Sequence, residues 1–136
     1  MTKHADFGEP LPEEDLPANQ GFGARITRRE DVVWLAMGGE LDVFTAPQLR
    51  SALGEAAPRD RETLVLDLRG LSFIDSSGLA VILGAHAKAL REGRPQVRIV
   101  IQGSAPVEAL FHTIGAADYL ELVDDLEELG VPTPAR

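Results

Sequence analysis

The chain has 136 residues, room for one domain of ordinary size and too few for two to be expected. Hydrophobic residues make up 44% and charged ones 26%, and no stretch approaches the roughly 20 apolar residues that cross a bilayer, so no membrane insertion is expected. The absence of cysteine excludes disulfides, thiol catalysis and cysteine-based zinc sites, while a net charge of −9 weighs against non-specific binding to nucleic acid or anionic membranes.

Residues 1–22 read as an acidic, proline-rich tail. Pro10, Pro12 and Pro17 recur among Glu9, Glu13, Glu14 and Asp15, with only Leu11 and Leu16 as large aliphatics. So little apolar area does not offset the entropy of ordering the segment. It also lacks the apolar core of a secretory signal, which makes the cytoplasm the expected location. A single domain is expected over 23–130, followed by a C-terminal tail at 131–136.

Within that domain, Gly23 to Arg29 and Val32 to Met37 predict two strands joined by a tight turn at Arg29-Glu30-Asp31. Thr45-Ala46-Pro47-Gln48 opens a helix, with Thr45 suited to the N-cap and Gln48 to a capping box; Leu49, Ala52, Leu53 and Ala56 follow at helical spacing, and Pro58 stops the run. Glu62 to Leu68 is a Val/Leu-rich strand apolar enough to be buried on both faces. A second helix is expected from Ser77 to Arg91, with Leu79, Ile82, Leu83, His86 and Leu90 on one stripe and Gly93 beyond its end. Val97 to Ile101 predicts another strand. Ser104-Ala105-Pro106 begins a third helix with Val107, Leu110, Phe111 and Ile114 spaced for burial and Gly115 closing it. A short strand at Leu120–Val123 and a final helix from Asp124 to Leu129 complete the expected domain. The alternation implies an α/β fold with crossover connections and a sheet covered by helices.

Two segments stand out chemically. Asp75-Ser76-Ser77-Gly78 places a carboxylate and two hydroxyls where a buried strand hands over to a helix. Capping explains one such residue, Asp75 or a serine. A hydroxyl in the first helical turn is also a favourable place for an added phosphate, near the positive end of the helix dipole and its unpaired N–H groups. Upstream, Gly38-Gly39-Glu40-Leu41-Asp42 allows a bulge or a close backbone approach, and brackets Leu41 with two carboxylates. A carboxylate pair invites a general acid/base reading, but a solvated edge with a helix cap accounts for it more simply. The other catalytic readings lack their parts. The sequence around Ser76 is not G-x-S-x-G, there is no phosphate-binding G-x-x-x-x-G-K-[ST], and His4, His86 and His112 stand far apart without metal-ligand spacing.

Leu68-x-x-Leu71-Ser72-Phe73-Ile74-Asp75-Ser76-Ser77-Gly78-Leu79-x-Val81-Ile82-Leu83 resembles the signature of STAS-domain anti-sigma factor antagonists, bacterial regulators also called anti-anti-sigma factors. Gly39-Glu40-Leu41-Asp42-x-x-Thr45-Ala46-x-x-Leu49 is similar to the family's other marker, and Pro106-Val107-x-x-Leu110-Phe111-x-x-x-Gly115 to its third helix. The resemblance spans about residues 24 to 129. It implies a small α/β domain with a mixed sheet and helices mainly on one face, and a function of binding rather than catalysis, with no cofactor. The implied partner is an anti-sigma factor that is a serine kinase of the histidine-kinase ATPase type. It binds the unphosphorylated chain, frees a sigma factor, and phosphorylates the motif's first serine, here Ser76; a PP2C-type phosphatase reverses the step. On this resemblance Ser76 is the phosphoacceptor, Ser77 a competing one, and Asp42, Thr45, Asp75, Ser77, Gly78 and Leu79 shape the partner-binding surface around it.

Three other readings use the same residues. A STAS module can serve a stress-signalling scaffold or a lipid-transport complex; the helix end at Ser76 can act as the anion site of a small-molecule or nucleotide sensor; and Ser76 can be a hydrolase nucleophile. Retention of both the Asp-Ser-Ser-Gly and Gly-Glu-Leu-Asp runs favours the phosphorylation switch.

Overall fold

The computed structural model describes residues 21–115 and the backbone of 121–123. Eight elements follow in order: β1 (Phe22–Arg29), β2 (Val32–Leu41), α1 (Ala46–Glu55), β3 (Thr63–Ile74), α2 (Ser76–Arg91), β4 (Arg98–Val100), α3 (Ala105–Thr113) and β5 (Glu121–Val123). The tails and the helix expected from Asp124 lie outside the described residues.

The five strands form one sheet in sequence order. β1 and β2 are an antiparallel hairpin whose turn is Glu30-Asp31, with Glu30 in the left-handed region at φ 54. β2, β3, β4 and β5 are parallel. Each parallel step moves to the next strand through one helix. Because such crossovers have a fixed hand, repeating them in one direction stacks α1, α2 and α3 on the same face. The core records this arrangement: Val33, Leu35, Met37, Leu64, Leu66, Leu68 and Ile99 of the strands join Leu49 of α1, Ile82 of α2 and Val107 and Phe111 of α3 in one cluster. The fold is the mixed α/β sheet with helices on one face that the sequence led us to expect.

Alternate β3 residues face the other way and are buried too, with Val65 and Asp67 both at 0% exposure. Burying a carboxylate requires compensating donors. Asp67 accepts from Trp34 Nε1 at 3.1 Å and from the Arg69 backbone N, Nε and Nη2 at 3.1, 2.9 and 2.7 Å.

Several boundaries differ from expectation. β2 continues four residues beyond Met37 to Leu41, and β3 six beyond Leu68 to Ile74. Between Ala36 and Gly38 the facing residue on β3 steps from Asp67 to Gly70, and between Gly39 and Glu40 from Leu71 to Phe73. β3 therefore absorbs extra residues as bulges, which keep the two strands paired through a glycine-rich stretch of weak strand propensity. Leu90, expected on the buried stripe, is 57% exposed, while Val81 and Ala89 are buried. The buried arc of α2 is turned toward α1 because the helix packs on α1 as well as on the sheet. Ile114 is 46% exposed because α3 ends at Thr113 and leaves it at the C-cap. Among the described residues no helix is long and apolar enough to cross a membrane.

Candidate functional site

The parallel pairing of β2 and β3 brings their ends together, with Glu40 opposite Phe73 and Leu41 opposite Ile74. The loops that start at Asp42 and Asp75 are thus neighbours, and the Asp75 N–H donates to the Leu41 carbonyl at 3.1 Å. β1 begins at the same edge: Glu40 N donates to Gly21 O at 2.7 Å. Gly39 makes this approach possible, since at φ +92 a Cβ there would lie 2.1 Å from the Gly21 oxygen. The close backbone approach expected of the paired glycines is the role of Gly39.

The Asp42–Thr45 loop is a closed hydrogen-bonded unit. Asp42 Oδ1 accepts from the N–H groups of Phe44 and Thr45 at 2.9 and 3.0 Å. The Thr45 hydroxyl accepts from Asp42 N at 2.9 Å and donates to Glu40 O at 2.8 Å. Thr45 stands at the N-cap position of α1, yet its side chain makes no cap bond, and the Gln48 amide reaches the Thr45 carbonyl instead. The expected Thr45 capping box is therefore replaced by a loop lock. The hydroxyl is already committed to the strand end, where it satisfies the Glu40 carbonyl.

At the second loop, Asp75 is the cap. Its Oδ1 accepts from Ser77 N at 2.9 Å and Gly78 N at 3.1 Å. α2 starts at Ser76, one residue earlier than expected. Ser76 is exposed, Ser77 is partly buried, and Gly78 and Leu79 are buried. A Cβ on Gly78 would lie 2.4 Å from Leu41 Cγ, so the glycine allows the first turn of α2 to rest directly on the end of β2. Leu79, at 6% exposure, fastens that turn to the core. Two of the first-turn amides expected to favour a phosphate at Ser76 are thus already taken by Asp75. A phosphate there meets the helix dipole, and also the like charges of Asp75 and of Asp42 in the adjoining loop.

All seven residues singled out in the sequence belong to this one end of the sheet. Asp42, Asp75, Ser76 and Ser77 reach its surface, and Thr45, Gly78 and Leu79 lie beneath it. Sequence reasoning missed the apolar part of the surface. Val43 is 58% exposed, Phe44 85% and Phe73 46%. Asp42 and Thr45 bond across Val43 and Phe44 and leave them on the outside of the loop. Phe73 is one strand away, opposite Glu40. The available signal was a Val-Phe pair between two residues with loop and cap chemistry, outside any helical or strand period.

The Ser76 hydroxyl is accessible, but the histidine on its own helix is not its base. His86 is 2% exposed and ten residues away, about 15 Å along α2. Among the described residues no group of three or more His, Asp or Glu side chains is placed to hold a metal ion.

A family model for the STAS domain matches residues 24–129. An anti-sigma-B factor antagonist of Listeria monocytogenes is 34% identical over 96 residues, which cover 70% of this chain and 82% of that protein. The anti-sigma-F factor antagonist RsfB of Mycobacterium tuberculosis is 37% identical over 73 residues, 54% of this chain and 60% of that one. Among solved structures, an anti-sigma factor antagonist from Mycobacterium paratuberculosis superposes with a TM-score of 0.65 at 24% identity, covering 83% of this chain and 94% of the other. The anti-sigma factor antagonist SpoIIAA in its unphosphorylated form gives a TM-score of 0.60 at 22% identity, with 79% and 93% covered. At these identities the superpositions speak for the fold.

Proposed function

This chain belongs to the STAS domain family, and from that premise we propose that it is an anti-sigma factor antagonist controlled by phosphorylation at Ser76. In its unphosphorylated form it binds an anti-sigma factor that is also a serine kinase, and so releases a sigma factor. The kinase then phosphorylates Ser76 and ends the complex, and a PP2C-type phosphatase restores the binding form. The observation that carries the reading is the exposed Ser76 hydroxyl on the first residue of α2, held by the Asp75 cap and the Gly78–Leu41 contact.

The chemistry of the surface supports such a switch. Exposed Val43, Phe44 and Phe73 share this end of the sheet with the polar Asp42, Asp75, Ser76 and Ser77. Exposed aromatics next to small polar groups are what a protein partner packs against. Phosphorylation replaces one small hydroxyl in that area with about −1.5 to −2 charges and three acceptor oxygens. The Ser77 and Gly78 amides are already bonded to Asp75, and Ser76 is exposed, so the added charge is presented at the surface a partner would meet. A loss of about 3 kcal/mol weakens binding roughly a hundredfold, enough for an on/off device without a large conformational change.

Phosphosite mapping tests the acceptor assignment. The chain is incubated with ATP and magnesium in an extract of its native cell, recovered and analysed by mass spectrometry. The expected product carries one phosphate on Ser76, and Ser76→Ala removes it. A phosphate on Ser77, or none on the wild-type chain, overturns the assignment.

A further inference from the structure

Between α1 and α2, along their middle and C-terminal turns, lies a cleft of about 460 Å³. Its floor is apolar, made by Leu53, Leu64, Val81 and Val97. Gly54 and Gly84 stand in its walls, and a Cβ on either would meet nothing within 4 Å. Each helical glycine forgoes about 1 kcal/mol of helix propensity relative to alanine, with no crowding to require it, and leaves the cleft open. The rim holds Arg50, Lys88 and Arg94 against a single carboxylate, Glu92. Glu92 lies 3.6 Å from Lys88 and 2.9 Å from Arg94, so the rim has a surplus of two positive charges in a chain of net charge −9.

We propose that this cleft is the docking site of the chain's own N-terminal segment 9–17, Glu-Pro-Leu-Pro-Glu-Glu-Asp-Leu-Pro. The segment has the matching pattern: Leu11 and Leu16 flank Glu13, Glu14 and Asp15, two apolar groups for the floor and three carboxylates for the rim. The tether also has the right length. The segment joins the domain at Gly21, whose oxygen accepts from Glu40 N near the end of β2, and Glu40 O in turn accepts from the hydroxyl of Thr45 at the N-cap of α1. From Ala46 to Gly54 is about 12 Å along α1. Extended chain from Gly21 reaches about 17 Å at Leu16 and about 33 Å at Leu11, enough to run along α1 into the cleft. A short tether supplies an effective concentration on the order of millimolar, so contacts too weak to hold a free peptide suffice here. Docking draws the carboxylates toward the far end of α2 and away from Ser76. The inference is independent of the function proposed above.

A spin-label experiment on the full chain tests it. With no native cysteine, Ala5→Cys provides a single nitroxide site beyond the docking segment. The expected result is selective paramagnetic broadening of the Gly54, Gly84 and Ala85 amides. It falls about fivefold in Lys88→Glu and again at about 1 M salt, where the screening length is ~3 Å. Leu11→Ser with Leu16→Ser, two substitutions outside the described residues, abolishes it. Broadening that is absent from these amides, or is unchanged by Lys88→Glu and by the double leucine variant, overturns the proposal. So does broadening that disappears when labelled chain is diluted with unlabelled chain, since a second copy is then the occupant.

Discussion

The contact between Gly78 and Leu41 gives the sharpest test of how the site is built. In Gly78→Ala the new methyl would lie 2.4 Å from Leu41 Cγ, 2.7 Å from Cδ2 and 3.1 Å from the Leu41 carbonyl oxygen. Ordinary carbon contacts are about 3.5–4.0 Å, so helix and strand must separate by roughly 1 Å or more. Leu41 is fully buried and Cγ is its branch point, so rotation of a terminal methyl does not relieve the clash. Overpacking of this kind costs about 1–3 kcal/mol, against a gain of at most about 1 kcal/mol from helix propensity. The net expectation is a loss of up to about 2 kcal/mol. Gly84→Ala is the matched control: it lies on the same helix, has nothing within 4 Å, and should gain about 0.5–1 kcal/mol. Urea unfolding, followed by the fluorescence of Trp34, the single tryptophan and 3% exposed, measures both. If Gly78→Ala is as stable as Gly84→Ala, the argument that glycine sets the seat of α2 on β2 is refuted.

Asp67→Ala leaves the Trp34 Nε1–H and the Arg69 guanidinium without the carboxylate they share, and should cost about 3–5 kcal/mol in the same unfolding assay. Thr45→Val keeps the shape but deprives Asp42 N and Glu40 O of their hydroxyl partner; a loss of about 1–3 kcal/mol is expected, with faster hydrogen exchange at the Phe44 and Thr45 amides. Phe44→Asp, at a residue 85% exposed, should change stability by no more than about 0.5 kcal/mol yet weaken partner binding about thirtyfold or more in a titration.

The sequence made the element order legible because each strand and helix has a clear period and clear end signals. Asp75 was readable as one of the possible caps because the chemistry is local, a carboxylate two and three residues ahead of the amides it accepts from. The continuation of β2 and β3 was not readable. Gly38-Gly39 and Arg69-Gly70 break the strand pattern, and only the partner strand, bulged to match, keeps them paired. The role of Thr45 was hidden for a related reason, since a hydroxyl at a cap position chooses between the helix and the Glu40 carbonyl according to how the chain returns. The exposure of Phe44 had only the weak signal of falling outside any period, because apolar character by itself predicts burial and the closed Asp42–Thr45 loop turns that side chain out. The adjacency of the Asp42 and Asp75 loops needed the sheet register itself.

In the proposed switch, charge at Ser76 governs binding of the partner. Its most direct test is affinity capture from the native cell with Ser76→Ala and Ser76→Asp baits, each shown by unfolding to be as stable as the wild type. An ATPase-type serine kinase should be retained by the alanine form and lost with aspartate. Recovery of the same partners in equal amount by both baits would contradict it.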